Sequence, residues 1–432
     1  MSGFVFEENL SREEFGSLRG KEGVKTHFLG SYAWGEVSGS GNWTPYYTGV
    51  RKDGEIVATA LILQKKLIAG YSYCYIPRGF TMDWSDTELL RYMTSAVRDF
   101  CRRHKAIFFK IDPDIRYHII DENGMPVAGE NNESLVQELK KEGYDHLPLT
   151  YFFDSEQPRF TFRIRTDRDI KDIRAGYDKI VKRRLRQAAS DGVEIVEGTR
   201  EDIGEFVRLM TMTEQRQGFF SHYSDYYQRF YDILSKEDMA GLYFARIDIP
   251  ALVSRLETEQ EELEHEKGSL QSAEAPKNKK TEGRIRSIDE RLGAVSRQLE
   301  TLKDRPQEVV TASAQLLVIY GDKVWTLYAG NDMEYGKFYS NYAMFDHCVE
   351  IASSIGAQFL DAFGTVGKPG VDSQLDGLHE FKKRWGGEYT EFIGEFNYVT
   401  NRPVYFAYSK LIPIRRAIVN RKLRKEVAAD NK

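Results

Sequence analysis

The stretch Phe381-Lys382-Lys383-Arg384-Trp385-Gly386-Gly387 continues through Glu391-Phe392-Ile393-Gly394-Glu395-Phe396. A cation beside an aromatic, followed by a glycine pair and a β-rich run, predicts a helix that ends over a cleft and a chain that re-enters a sheet. Just upstream, Gln358-Phe359-Leu360-Asp361-Ala362-Phe363-Gly364 reads as a strand and Leu378 to Arg384 as a helix. Strand, helix and strand in that order set helices against a mixed sheet, with Lys382 where it can face an oxyanion.

At 432 residues the chain exceeds the ~250–300 at which one core usually divides, so two globular units plus an insertion are expected. Apolar residues at 41% and charged residues at 29% are ordinary for a globular protein. The 25 Tyr and 25 Phe suit sheets and stacking surfaces, with core packing their commoner use. A formal net charge of −5 excludes a global field for nucleic acid, so any RNA contact must rest on local basic patches.

Cys74, Cys101 and Cys348 give neither a zinc spacing nor an even disulfide framework, which fits a reducing compartment. Met1-Ser2-Gly3-Phe4-Val5-Phe6-Glu7-Glu8 lacks the basic and apolar segments of a secretion signal. No apolar run approaches the ~20 residues that span a bilayer. A cytoplasmic protein is expected, with membrane contact at most peripheral and at the inner face. The tail carries Arg415, Arg416, Arg421, Lys422, Arg424 and Lys425 among Ile412, Ile414, Ile418, Val419 and Leu423. It reads as a basic amphipathic helix, either docked on its apolar face or drawn to anionic lipid or RNA.

Residues 44–50, 55–64 and 71–77 are β-rich, and Lys52-Asp53-Gly54-Glu55 is a turn, so an antiparallel meander is expected. Ser85 is the expected cap of a helix from Asp86 to Lys105, with Leu89, Leu90, Met93, Val97 and Phe100 on one stripe. Ala106 to Pro113 returns as a buried strand. A second unit opens near Gln157 and leads into a helix around Gly176 to Ala188 that ends at Gly192. Its Lys179, Lys182, Arg183, Arg184 and Arg186 are either a solvated face or a set of RNA-phosphate contacts. Asp202 to Glu214 reads as another helix, followed by Thr213-Glu214-Gln215-Arg216-Gln217-Gly218-Phe219-Phe220.

From Ile249 to Arg305 the pattern changes. Ile285, Ile288, Leu292, Val295, Leu299 and Leu302 alternate spacings of three and four, and Leu252, Leu256, Leu263 and Leu270 supply an opposing arm. Ser272 to Lys280 forms the turn, giving an antiparallel coiled-coil hairpin inserted into the second unit. Glutamates on the first arm can pair with Arg284, Arg286, Arg291 and Arg297 on the second, leaving Lys277, Lys279 and Lys280 unpaired at the tip. Thr311 to Ile319 and Lys323 to Gly330 resume the sheet, and a helix from Tyr342 to Gly356 follows.

Familiar catalytic signatures fail. Gly364-Thr365-Val366-Gly367-Lys368 is two residues short of a phosphate loop, and no glycine-rich dinucleotide motif opens a helix. The eight histidines show no ligand spacing. No loop suited to a CoA pyrophosphate is found, so no cofactor or metal is expected.

Phe381-Lys382 with its glycines and Glu391-Phe392-Ile393-Gly394-Glu395-Phe396 resembles the FemABX family of tRNA-dependent peptidoglycan bridge-forming aminoacyltransferases. So do Ser31-Tyr32-Ala33-Trp34-Gly35-Glu36-Val37, Tyr75-Ile76-Pro77-Arg78-Gly79-Phe80, Lys110-Ile111-Asp112-Pro113-Asp114 and the Thr-x-x-Arg-x-Gly-Phe motif around Arg216. The resemblance implies an α+β fold of tandem acetyltransferase-like (GNAT) domains. The first spans 1–155, joined by 397–432; the second spans 156–396, with the helical arm at 250–306. Ser38-Gly39-Ser40-Gly41 departs from the basic residue that the family often carries after its Trp-x-x-Val piece.

By resemblance, the enzyme moves an amino acid from aminoacyl-tRNA to a stem-peptide amine of lipid II or UDP-MurNAc-pentapeptide. An aminoacyl ester is already activated, so transfer requires alignment, an uncharged amine and oxyanion stabilisation. Lys382, as an ammonium, is expected to stabilise the oxyanion or the departing ribose oxygen, and Phe381 to stack near the tRNA terminus. Arg216 is expected at precursor phosphates, where a guanidinium fork binds bidentately, or else paired to a carboxylate. Tyr328 lines the cleft or packs in the core, and Arg78 binds substrate or ends a strand in solvent. The hairpin resembles the tRNA-binding arm of seryl-tRNA synthetase, which implies tRNA contact at Lys277, Lys279 and Lys280 as against a solvated or dimer-forming arm. A homodimer or a related family partner is a further expectation. The alternatives are a non-catalytic tRNA-binding or coiled-coil interaction protein, and an aminoacyltransferase acting on a lipid or a protein.

Overall fold

The computed structural model describes residues 3–217, 224–272, 278–305, 308–371 and 373–410. Two mixed sheets form the scaffold. The first has seven strands in the order Phe4–Glu7, Thr44–Lys52, Glu55–Lys66, Ser72–Ile76, Ala106–Ile111, Phe396–Val399 and Asp145–His146. Its meander turns where Asp53 and Gly54 both adopt positive φ, 51° and 88°, the two-residue turn whose twist matches the flanking strands. Ser72–Ile76 and Ala106–Ile111 run parallel, which requires a crossover.

The helix Thr87–Arg103 supplies that crossover, and its stripe of Leu89, Leu90, Met93, Val97 and Phe100 is buried against Ile62, Cys74 and Phe109. Its cap is Asp86, whose carboxylate accepts from Leu89 N at 2.9 Å. Ser85 is not the cap, because its amide and hydroxyl turn back to Asp83 Oδ1 at 2.9 and 2.7 Å.

The second sheet has nine strands: Val193–Glu197, Ala240–Asp248, Val309–Tyr320, Lys323–Asn331, Phe359–Asp361, Phe160–Arg165, Glu388–Phe392, Arg116–Ile120 and Pro126–Asn131. It repeats the device, with Lys323–Asn331 parallel to Phe359–Asp361 and the helix Ser340–Ser354 packed between them in sequence. The molecule is thus α+β, with two mixed sheets and an inserted helical hairpin.

Strands from each part of the chain cross into the other sheet. Arg116–Ile120, from within 1–155, pairs with Glu388–Phe392 of the second sheet, and Phe396–Val399 crosses into the first beside Ala106–Ile111. Phe28, Ala33 and Val37, also N-terminal, sit in one core with Leu209, Phe230 and Trp325. Strand periodicity fixes which face is buried, but the pairing partner lies hundreds of residues away.

The expected helix around Gly176 to Ala188 is Lys179–Ser190, capped by Asp178, whose side chain accepts from Ile180 N, and a short helix Ile170–Ala175 precedes it. Asp202 to Glu214 is realised as Ile203–Gln217. The hairpin arms are Ile249–Gln271 and Lys279–Leu302, leaving the sheet between two adjacent antiparallel strands. Leu252, Leu256, Val295 and Leu302 are buried at its base. Across the arms, Arg284 pairs with Glu266 at 2.7 Å, Arg291 with Glu259 at 2.6 Å and Lys267 with Asp289 at 2.6 Å. Among the described residues, no helix is long and apolar enough to cross a membrane. Residues 402–410 are helical, and the basic amphipathic segment from Ile412 lies outside the described residues.

Candidate active site

The helix Ser373–Lys383 delivers Lys382 in its last turn. Lys382 Nζ donates to the carbonyls of Gly364 at 2.6 Å and Phe363 at 3.1 Å. Those carbonyls are held rigidly: Phe363 has φ of 58°, its amide donates to Asp361 Oδ1 at 2.8 Å, and its oxygen accepts from Thr161 Oγ1 at 3.1 Å. Burial pushes the Lys382 ammonium down to about 7, with Asp361 opposing, because loss of water disfavours the charged form. A group so placed exchanges its proton close to neutral pH.

Phe381 does not present a free face. Its ring packs edge-on against Tyr342, Phe345 and Trp385, with centroids 5.2 to 5.7 Å apart, and so fixes the end of the helix. Lys383 pairs with Glu122 at 3.1 Å, which leaves Lys382 as the lysine facing the loop. Gly386 has φ of 71°, and a side chain there would bring Cβ to 2.8 Å from the carbonyl oxygen of Gly176, so the turn requires glycine.

The loop at Gly364 abuts Pro158: a Cβ at Gly364 would lie 2.5 Å from the proline ring. The carbonyl of Pro158 accepts from an Arg78 terminal nitrogen at 3.2 Å, so the Lys382 turn adjoins a second cluster. Arg78 follows the strand Ser72–Ile76 with φ of 56° and is only 8% exposed, which overturns its reading as a strand end in solvent. Its guanidinium lies 4.7 Å over the Phe392 ring, and its Nε has no hydrogen-bond partner among the described residues. Left-handed backbone at a non-glycine residue is strained, and Arg78 and Phe363 both show it.

Asp112, at the end of the neighbouring parallel strand, accepts from Arg78 N at 2.7 Å and from the Tyr75 hydroxyl at 2.9 Å. Burial raises its carboxyl to about 7, opposed by Arg78. Behind it Arg163 joins the halves, pairing with Asp114 and, at 2.9 Å, with Asp361. Burial would raise Asp114, but Arg163 and Lys323 together hold it well below the usual carboxylate range. Arg159, paired with Glu391, also donates to the carbonyls of Phe392 at 3.2 Å and Thr150 at 3.0 Å. Arg78, Asp112, Thr150, Arg159, Phe392 and Glu395 line the pocket.

Arg216 is exposed in the last turn of Ile203–Gln217 and has no carboxylate partner among the described residues; 218–220 of its motif lie outside them. Tyr328 is packed, its ring edge-on to Tyr226, Tyr227 and Phe230 and its hydroxyl 2.9 Å from that of Tyr226. Burial holds the Tyr328 phenol well above its ordinary pKa, in keeping with a core tyrosine. Helix Ile203–Gln217 docks on the strand that carries Tyr328 through Asn331 N donating to Thr213 Oγ1 at 2.9 Å. No basic side chain arises at Ser38 to Gly41.

Lys182 Nζ donates to the carbonyl of Ala175 at 2.7 Å, capping the preceding helix, whereas Arg183 is exposed. Lys279 and Lys280 are exposed at the start of the second arm, and Lys277 lies outside the described residues. Sequence reasoning gave no role to Asp112, Asp361, Arg159 or Arg163. Their signal was a charged residue in or just after an apolar strand, as in Phe160-Thr161-Phe162-Arg163-Ile164 and Ile111-Asp112.

The FemAB family model matches residues 10–412. A lipid II:glycine glycyltransferase of Staphylococcus aureus (strain bovine RF122 / ET3-1) is 28% identical over 403 residues, covering 90% of this chain and 93% of that protein. The same enzyme from strain MRSA252 is 28% identical over 389 residues, covering 88% and 90%. Among solved structures, the crystal structure of FemX aligns with a TM-score of 0.77 at 27% identity, covering 93% of this chain and 99% of that one.

Proposed function

Because this chain belongs to the FemAB family, we propose that it transfers an amino acid from aminoacyl-tRNA to a stem-peptide amine of a peptidoglycan precursor. The supporting observation is the match to lipid II:glycine glycyltransferases over nine-tenths of the chain, which makes lipid II the first acceptor and glycine the first donor to test. A lipid-linked acceptor brings the protein to the inner membrane face as a peripheral partner.

In this reading the acceptor amine attacks the ester carbonyl carbon, a C–N bond forms, and the ester C–O bond to ribose breaks. The amine must shed a proton, and a buried carboxyl near 7, such as Asp112, suits that exchange at neutral pH. Lys382, also near 7, donates to the developing oxyanion or to the departing ribose oxygen. Arg78 and the exposed Arg216 are the cations offered to acceptor phosphates. Phe381 acts by holding the helix end that carries Lys382.

Incubation of the protein with labelled glycyl-tRNA and lipid II tests the proposal. Label that moves into the lipid fraction as a peptide-linked glycine is the expected result. Label released only as free glycine, or retained on tRNA while the acceptor is bound, would overturn it.

A further inference from the structure

The helix Lys179–Ser190 has a face that the site chemistry does not use. Val181 and Ala188 are buried, while Lys179, Arg183 and Arg186 are exposed. Their spacing of i, i+4 and i+7 stacks them on one side, with neighbours about 5–6 Å apart. None has an acidic partner among the described residues.

Nearby cations are engaged instead. Arg174 pairs with Asp346 and Glu350, and Arg384 with Asp178 and Glu380. Arg184 lies 3.8 Å over the Tyr339 ring. The carboxylates that bracket the helix are occupied as well. Asp178 accepts from Ile180 N at 2.7 Å, and buried Asp191 accepts from Gln187 at 2.9 Å and from Gln298 at 2.9 Å. Three cations are thus left facing solvent on a chain whose net charge is −5.

The position of the helix is the second observation. At its start, Asp178 N donates to the carbonyl of Arg384 at 2.9 Å, two residues beyond Lys382. At its end, Asp191 and Gln298 tie it to the second hairpin arm. On that arm Lys279, Arg286 and Arg297 are also exposed and share a side, since 18 residues make about five turns. They too have no acidic partner among the described residues. The helix that carries the three cations is therefore anchored beside the Lys382 turn at one end and against the second hairpin arm at the other.

We infer that this face of Lys179–Ser190 is the docking surface for the phosphate backbone of the RNA donor, and that it leads the aminoacylated end toward Lys382. The inference rests on the donor reading given above. A bilayer fits the face less well, because no large apolar residue of this helix is exposed and interfacial helices need an apolar side. A phosphate backbone asks only for cations at this spacing.

The test is binding of uncharged tRNA to the full chain between 50 and 200 mM salt, with K179E/R183E/R186E and K279E/K280E compared at matched thermal stability. The inference predicts at least a tenfold loss for the triple variant and a log–log salt slope shallower by about two to three, from some 0.7–0.9 per phosphate neutralised. K179R/R183K/R186K should retain binding. Unchanged affinity and slope in the triple variant would overturn the inference, as would a larger loss from K279E/K280E or failure of the wild type to bind tRNA. Wild-type binding that depends on these three residues, without amino-acid transfer, would keep this surface and sink the donor reading alone.

Discussion

Lys382 and Asp112 are both poised near 7 by burial, and each makes pH a probe. If the Lys382 ammonium assists departure of ribose, its contribution falls as pH rises through about 7. A guanidinium stays charged, so the wild-type to Lys382→Arg ratio of kcat/KM should decline from pH 6 to 9. A constant ratio would remove the ammonium from the mechanism. Lys382→Ala should lose transfer by roughly 10²–10³ with acceptor binding retained, the usual cost of one oxyanion donor. For Asp112 the folded state keeps a proton between the ordinary carboxyl value of about 4 and about 7, where the unfolded chain has released it. Stability therefore falls as pH rises across that window. Asp112→Asn stays neutral and can still accept from Arg78 N, so it should unfold at higher urea than wild type at pH 8, with the gap closing near pH 4. Loss of stability at pH 8 would instead show that Arg78 and Tyr75 favour the ionised form.

The turn after Ser373–Lys383 shows how one element sets the site. Gly386→Ala would place a methyl against the Gly176 carbonyl in a left-handed conformation, costing on the order of 1–3 kcal/mol. Thermal unfolding should register that loss, and kcat should fall with it because the turn holds Lys382. The helix, glycine pair and following strand were legible because each has a local signature: a cation in the last turn, a break, a β-rich run. The hairpin was legible for the same reason, since a three–four spacing declares a seam wherever it occurs. Its cross-arm pairs Arg284–Glu266 and Arg291–Glu259 meet half of the expected charge matching, since Arg286 and Arg297 have no acidic partner among the described residues. Less legible was the short helix Ile170–Ala175, which ends just before Asp178 caps the next one.

At the scale of the whole molecule, strand exchange couples the halves. Phe396–Val399 lies between Ala106–Ile111 and Asp145–His146, so a fragment of residues 1–155 lacks a central strand and exposes two unpaired edges. Such a fragment should show no cooperative unfolding transition by circular dichroism, while the full chain should melt without a separate first-half transition. Independent melting of the fragment would contradict the coupling. The sequence by itself determined the α+β class, the two halves, the inserted hairpin and the location of Lys382 at a helix end, because backbone periodicity and turn chemistry are local. Only the tertiary structure decided that Arg78 is buried over Phe392, that Tyr328 packs half-buried against the core, and that Arg163 ties Asp114 to Asp361. The protonation of Lys382 and Asp112 belongs with these, since it depends on water excluded and charges supplied by segments far apart in the chain.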